Sequence, residues 1–188
     1  MNRTLTSVAS VLLLLCAGAL FAAGDKTEAA AASPDQVVYD AQSAFAFLKT
    51  MVGSWEGAAR EHDHGTATAR RVEVRTSAAG SAVIQTLYPG APQEMLNVFH
   101  MDGDELLFTH YCAAQNAPVM KFEKSETPGE IKFVFNGGTN FDPAVDLHAH
   151  EGSFQVKDQD TVGSSFVTWA GGKPQPMLEG VMVRKASG

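Results

Sequence analysis

The sequence predicts an all-β domain, a ten-stranded antiparallel up-and-down β-barrel preceded by one N-terminal α-helix. Three observations predict it. From Gly53 onward the chain falls into short segments rich in β-branched and aromatic residues, separated by turn residues. Most of the links are of hairpin length, which favours sequential antiparallel neighbours. A ten-strand meander leaves two open edges unless its ends pair, so closure into a barrel is the economical arrangement, with the helix over one end. Two packed sheets are the alternative.

In chain order, residues 1–24 read as a secretory signal peptide. Arg3 supplies the positive start, Val8 to Leu15 begin the apolar stretch, and Ala22-Ala23-Gly24 place small residues before a cleavage at Asp25. Ala17-Gly18-Ala19 is a second possible cleavage site, and a retained anchor is the alternative to cleavage. Lipoprotein processing at Cys16 calls for a small residue just before it, and Leu15 stands there. Residues 25–33 form a small-residue, flexible spacer, and residues 34–188 form the barrel domain.

Ser33-Pro34-Asp35-Gln36 reads as a helix start, with serine as the cap, proline at the first position and glutamine completing a capping box. Val37/Val38, Ala41, Ala44/Phe45, Leu48 and Met51/Val52 then recur at helical spacing, and Gly53 ends the helix. The strands expected are 53–60, 67–77, 82–87, 94–101, 105–112, 119–125, 131–136, 148–157, 162–169 and 176–184. Ala79-Gly80, Asp102-Gly103-Asp104, Pro128-Gly129 and Gly171-Gly172 mark turns between them. The one long connection runs from Gly137 to Leu147.

Composition narrows the function classes. The 188 residues are 45% apolar and 19% charged, which is globular text. The net charge of −7, with Arg70-Arg71 as the only basic cluster, argues against nucleic acid as a partner. A membrane enters only if the N-terminal segment is retained or lipidated. Cleavage after Gly24 leaves Cys112 as the one cysteine, so packing rather than a disulfide holds the exported domain.

The helix followed by Gly53-Ser54-Trp55 resembles the Gly-x-Trp entry of the calycin barrels: lipocalins, fatty-acid-binding proteins and nitrobindin-like proteins. In those families an Arg or Lys late in the barrel often packs over that tryptophan. The resemblance therefore implies structural roles for Gly53, Trp55 and Arg184, with the guanidinium stacked on the indole, a contact worth ~1–2 kcal/mol when desolvated. More specifically, the chain resembles uncharacterised exported bacterial lipocalin-like proteins. That resemblance rests on Phe47-Leu48 with Val52-Gly53-x-Trp55-x-Gly57, His100-x-Asp102-Gly103-Asp104, Thr109-His110-Tyr111-Cys112, Gly137-Gly138-Thr139-Asn140-x-Asp142-Pro143 and His148-x-His150. It implies a fold and carries no activity. Nitrobindin-like members hold haem through a histidine near the C-terminal end. This chain has none after His150, so Met177 and Met182 are expected in the core.

Candidate chemistry centres on histidine. His62-Asp63-His64 sits in the first hairpin turn, where alternate residues can chelate a metal, although a solvated charged turn is the commoner use. His148 and His150 are two apart in a strand and share a face, with Asp146 nearby. His110 and Cys112 likewise share a face. If these faces point inward, the barrel holds imidazoles, a thiol and a carboxylate in one cavity, and imidazole and thiolate suit zinc or another transition metal. The alternative is that they face outward or satisfy buried hydrogen bonds. Asp102-Gly103-Asp104 lacks the remaining ligands of a calcium loop. The chain has no Gly-x-Ser-x-Gly elbow, phosphate loop or dinucleotide fingerprint, so neither an enzyme class nor a cofactor is assigned.

The function these observations favour is an exported barrel holding a small, largely apolar ligand, with His110, Cys112, His148, His150, Phe108 and Trp169 at the site. A metal- or haem-binding protein, or an enzyme, built on His100, His110, His148 and His150 is the second expectation. A filled barrel serving as an interaction module is the third.

Overall fold

The computed structural model of the chain describes residues 32–61 and 67–186, with Glu61 described by its backbone alone. The signal peptide, most of the spacer and the His62-Asp63-His64 turn lie outside the described residues.

The strands are β1 (Gly53–Glu61), β2 (Thr68–Ser77), β3 (Ala82–Leu87), β4 (Met95–Asp102), β5 (Glu105–Tyr111), β6 (Ala117–Glu123), β7 (Glu130–Thr139), β8 (His148–Val156), β9 (Thr161–Ala170), β10 (Lys173–Pro174) and β11 (Leu178–Arg184). Each of β1 to β8 pairs with the next strand, β9 pairs with β11, and β11 returns to β1. The result is a closed antiparallel ring of ten strands. The two-residue β10 folds back on the end of β9 and is not one of its staves. Closure runs from Trp55 opposite Arg184 to Glu61 opposite Leu178. Glycines permit the tight seam there: a Cβ on Gly57 would lie 2.0 Å from the Val181 carbonyl oxygen, and one on Gly180 2.3 Å from that of Ala58.

The helix differs from the expectation. Pro34–Gln36 make only a 3-10 turn, and the α-helix, α1, spans Ala41–Thr50. The capping box that forms is Asp40 with Ser43, whose backbone N–H donates to the Asp40 carboxylate at 2.7 Å. Residues 37–40 are drawn into extended backbone because the Val37 carbonyl accepts from Gly129 N–H, while buried Tyr39 bonds the Pro34 carbonyl. Tertiary contacts override a helical pattern here. Gly53 follows the helix at φ +134°, backbone that an L side chain rarely adopts.

Period-two alternation sends one face of each strand into the barrel. At the end where α1 sits, the interior is solid. Trp55, Val72, Phe99, Leu106, Phe108, Ile131 and Phe133 are buried there against Phe45 and Leu48 of the helix. The rings touch directly, with Phe108 4.8 Å from both Phe99 and Phe133. Each buried Phe or Leu contributes roughly 1.5–3 kcal/mol.

Arg184 locks this end. Its guanidinium lies 4.4 Å from the Trp55 ring centroid and donates to the Val52 and Thr50 carbonyls at 2.6 and 3.0 Å and to Asp160 at 2.7 Å. The Trp55 indole N–H meets the Met51 carbonyl at 2.8 Å. Helix end, first strand and last strand are thus joined through two side chains.

Candidate functional site

Above the filled half, three adjacent strands place polar residues where the alternation calls for apolar ones. Gln85 of β3 is the cross-strand partner of Asn97 of β4, and Asn97 is the partner of His110 of β5. All three are buried. Asn97 Nδ2 donates to Gln85 Oε1 at 2.7 Å, which leaves Asn97 Oδ1 as an acceptor for His110 Nδ1 at 2.6 Å. His110 Nδ1 therefore carries the proton and Nε2 keeps its lone pair. Burial pushes the His110 pKa down to about 4, so the imidazole is neutral at pH 7. The row ends in a free acceptor, His110 Nε2, and a free donor, Gln85 Nε2, among the described residues.

Those two ends border a cavity of about 140 Å³. Leu87, Met95, Phe154, Phe166, Leu178 and Met182 supply its apolar wall, and Ala149 keeps it open. Cys112, Ser164, Thr168 and Arg70 complete it. Met95 and Cys112 also border a groove on the outside of this end, between Tyr111 and Asn140, so the cavity adjoins solvent there.

Arg70 is the one charged side chain in the cavity wall. It points inward because it shares the face of Val72 and Val74, while Arg71 and Glu73 are exposed. Its Nη1 makes a long 3.4 Å bond to Ser164 Oγ, and its buried Nε has no acceptor. No carboxylate among the described residues pairs with it.

His148 and His150 occupy a different setting. A carbonyl only accepts, so His148 Nδ1 donates to the Asp146 carbonyl at 2.8 Å, and His148 Nε2 accepts from His150 Nδ1 at 3.0 Å. The His150 ring lies stacked between Trp169, 4.0 Å away, and Phe135, 4.8 Å away. Phe141, from the long connection, packs on His148 at 4.9 Å. Burial, then the neighbouring imidazole, lowers the His150 pKa. β8 shifts register at a bulge between Ala149 and Glu151, and the strand gives Ala149 and Phe154 to the cavity wall but neither histidine.

The structure thus gathers His110 and Cys112 at one cavity and places His148, His150 and Trp169 in an aromatic stack beside it. Phe108 is fully buried in the filled half and does not line the cavity. His100 lies outside the His110 cavity, on β4 between Ala82 and Leu107. Among the described residues no three His, Cys, Asp or Glu side chains are placed to hold a metal ion. His110, His148 and His150 do not form such a group: His148 spends both ring nitrogens, on the Asp146 carbonyl and on His150, and His150 spends its Nδ1 on His148. The cavity is also far too small for a porphyrin. Arg70, Gln85, Asn97, Ser164 and Thr168 are the residues that reading the sequence for histidines passes over.

No family model matches the chain, and no curated protein matches it. Solved structures that resemble it include two of known source. One is a protein of unknown function from the DUF3598 family of Nostoc punctiforme, at TM-score 0.51 and 10% identity over 73% of this chain. This chain spans 49% of that protein's length. The other is Rv2717c from M. tuberculosis, at TM-score 0.52 and 16% identity, over 80% of this chain and 100% of that one. At these identities the likeness concerns the fold alone.

Proposed function

We propose that the protein is an exported, lipocalin-like calycin barrel that holds a small, largely apolar ligand in the open half of its interior. The observation that carries this reading is the 140 Å³ cavity opposite the helix, walled by Leu87, Met95, Phe154, Phe166 and Met182 and bordered by a few fixed polar groups. A void in the interior costs stability unless something fills it. One with His110 Nε2 and Gln85 Nε2 held ready at its edge is arranged for an occupant with its own polar group. The size limits that occupant, since an engineered cavity of roughly 150 Å³ takes up benzene.

The test is to fill the space. Ala149 faces the cavity beside Thr168, so Ala149→Leu is expected to occupy it while leaving the barrel folded. Benzyl alcohol should shift the Met95 and Met182 methyl resonances of the natural protein and leave those of the variant unmoved. Equal shifts in both proteins would place the probe elsewhere and end the reading. Export rests on the leader-like residues 1–24. Mass spectrometry of protein recovered from outside the cytoplasm should show a chain beginning at Asp25, and a chain retaining its first 24 residues would contradict it.

A further inference from the structure

We propose that the occupant is a small organic anion whose carboxylate pairs with Arg70, its benzene-sized body lying among Leu87, Met95, Phe166 and Met182. This rests on the ligand-holding reading above and names the ligand class for the same site.

A guanidinium carries five N–H donors in a planar fork. Arg70 uses one of them, in a 3.4 Å bond to a neutral hydroxyl, and its Nε is buried without an acceptor. Buried or half-buried charge in proteins is ordinarily compensated by an opposite charge. Among the other described arginines Arg75 is exposed, and three meet an opposite charge: Arg184 faces Asp160, Arg60 faces Glu179, and Arg71 faces Glu73. Arg70 alone of these four turns toward an apolar cavity, and the cavity wall contains no Asp, Glu or Lys. The other titratable group with an imidazole there, His110, is neutral. The site therefore has a single positive charge in low-dielectric surroundings, and it fits one negative charge.

The geometry of the fork selects further. A carboxylate accepts two parallel N–H bonds from Arg, which a single hydroxyl or amide oxygen cannot reproduce. Ser164, already against Nη1, supplies a neighbouring donor for the same oxygens. Volume sets the rest: about 140 Å³ admits a ring or a short alkyl chain and excludes a long acyl chain.

The experiment uses the mature protein and three probes of one shape: benzoate, benzamide and benzylamine. Calorimetry gives the affinities, and the Met95 and Met182 methyl resonances report the location. Benzoate is expected to bind at least tenfold tighter than benzamide, and benzylamine more weakly than either. Arg70→Met should bring benzoate down to the level of benzamide while leaving benzamide within about twofold. Its unliganded stability should be unchanged or raised, because an uncompensated charge has been replaced by an apolar side chain. Arg70→Lys keeps the charge without the fork and should fall between the two, which preserves the comparison should the methionine variant fold poorly. If benzamide matches benzoate, or Arg70→Met leaves benzoate binding intact, the anion assignment fails while the interior-ligand reading stands. If no probe moves the two methionine methyls, both fall.

Discussion

His110 shows how one residue couples the site to stability. Its imidazole is buried, bonded through Nδ1 to Asn97, and held neutral with a pKa of about 4 against an ordinary 6.5. Between those two values the unfolded chain binds a proton that the folded protein does not, so stability falls as pH falls. The contribution is fully present above pH 6.5 and is lost toward pH 4, a difference of about 3 kcal/mol at most. Urea denaturation of the natural protein and of His110→Gln should show that extra slope only in the former. Parallel pH profiles would mean that His110 titrates normally. The residue types of this row were legible in part. His110 stands out in any sequence, but Gln85 and Asn97 do not, and nothing local says that the three meet. The signal that was available is alternation: Val83, Gln85 and Leu87 share a face, as do Arg70, Val72 and Val74. A polar residue in an inward register marks a site more reliably than a histidine count does.

Among the elements, the strands were readable to within a few residues because turn glycines and alternating burial specify them locally. The helix start was not. Ser33-Pro34-Asp35-Gln36 has the right letters for a cap, yet the bond from Gly129 to Val37 and the burial of Tyr39 hold the following residues extended, and Asp40 caps instead. The first of these contacts comes from a residue about ninety positions away and leaves no local trace. The joint between helix and barrel is where one side chain matters most. Arg184 donates to two carbonyls at the helix end, pairs with Asp160 and covers Trp55. Lysine reproduces the charge but neither the fork nor the flat stacking face. Arg184→Lys should therefore cost about 1–3 kcal/mol, from lost hydrogen bonds to carbonyls and lost cation–π contact. An unchanged urea midpoint would show that the clamp is incidental to stability.

For the whole molecule, closure gives every barrel strand two neighbours, yet the two halves of the interior are built differently. The half beneath α1 is packed ring on ring, from Phe99 through Phe108 to Phe133. The other half has a void, a polar row, a cation unpaired among the described residues and a bulged strand. Packing density sets how far a structure can open locally without unfolding globally. Amide exchange should therefore divide the strands along their length rather than strand by strand. Amides of Val72, Val74, Phe99, Leu106, Ile131 and Phe133 should exchange only through global unfolding, while those near Met95, Tyr111, Ala117 and His148 exchange through smaller openings. A ligand in the cavity ties β2, β3, β4, β5, β8, β9 and β11 together at the open end alone. Benzoate should consequently slow exchange at Leu87, His110 and Thr168 and leave the helix-side amides to follow the change in global stability. Uniform protection along each strand would show that the barrel opens as one unit, with the cavity mechanically silent. Selective slowing beneath α1 would place the occupant at the wrong end, and with it the functional assignment of the open half.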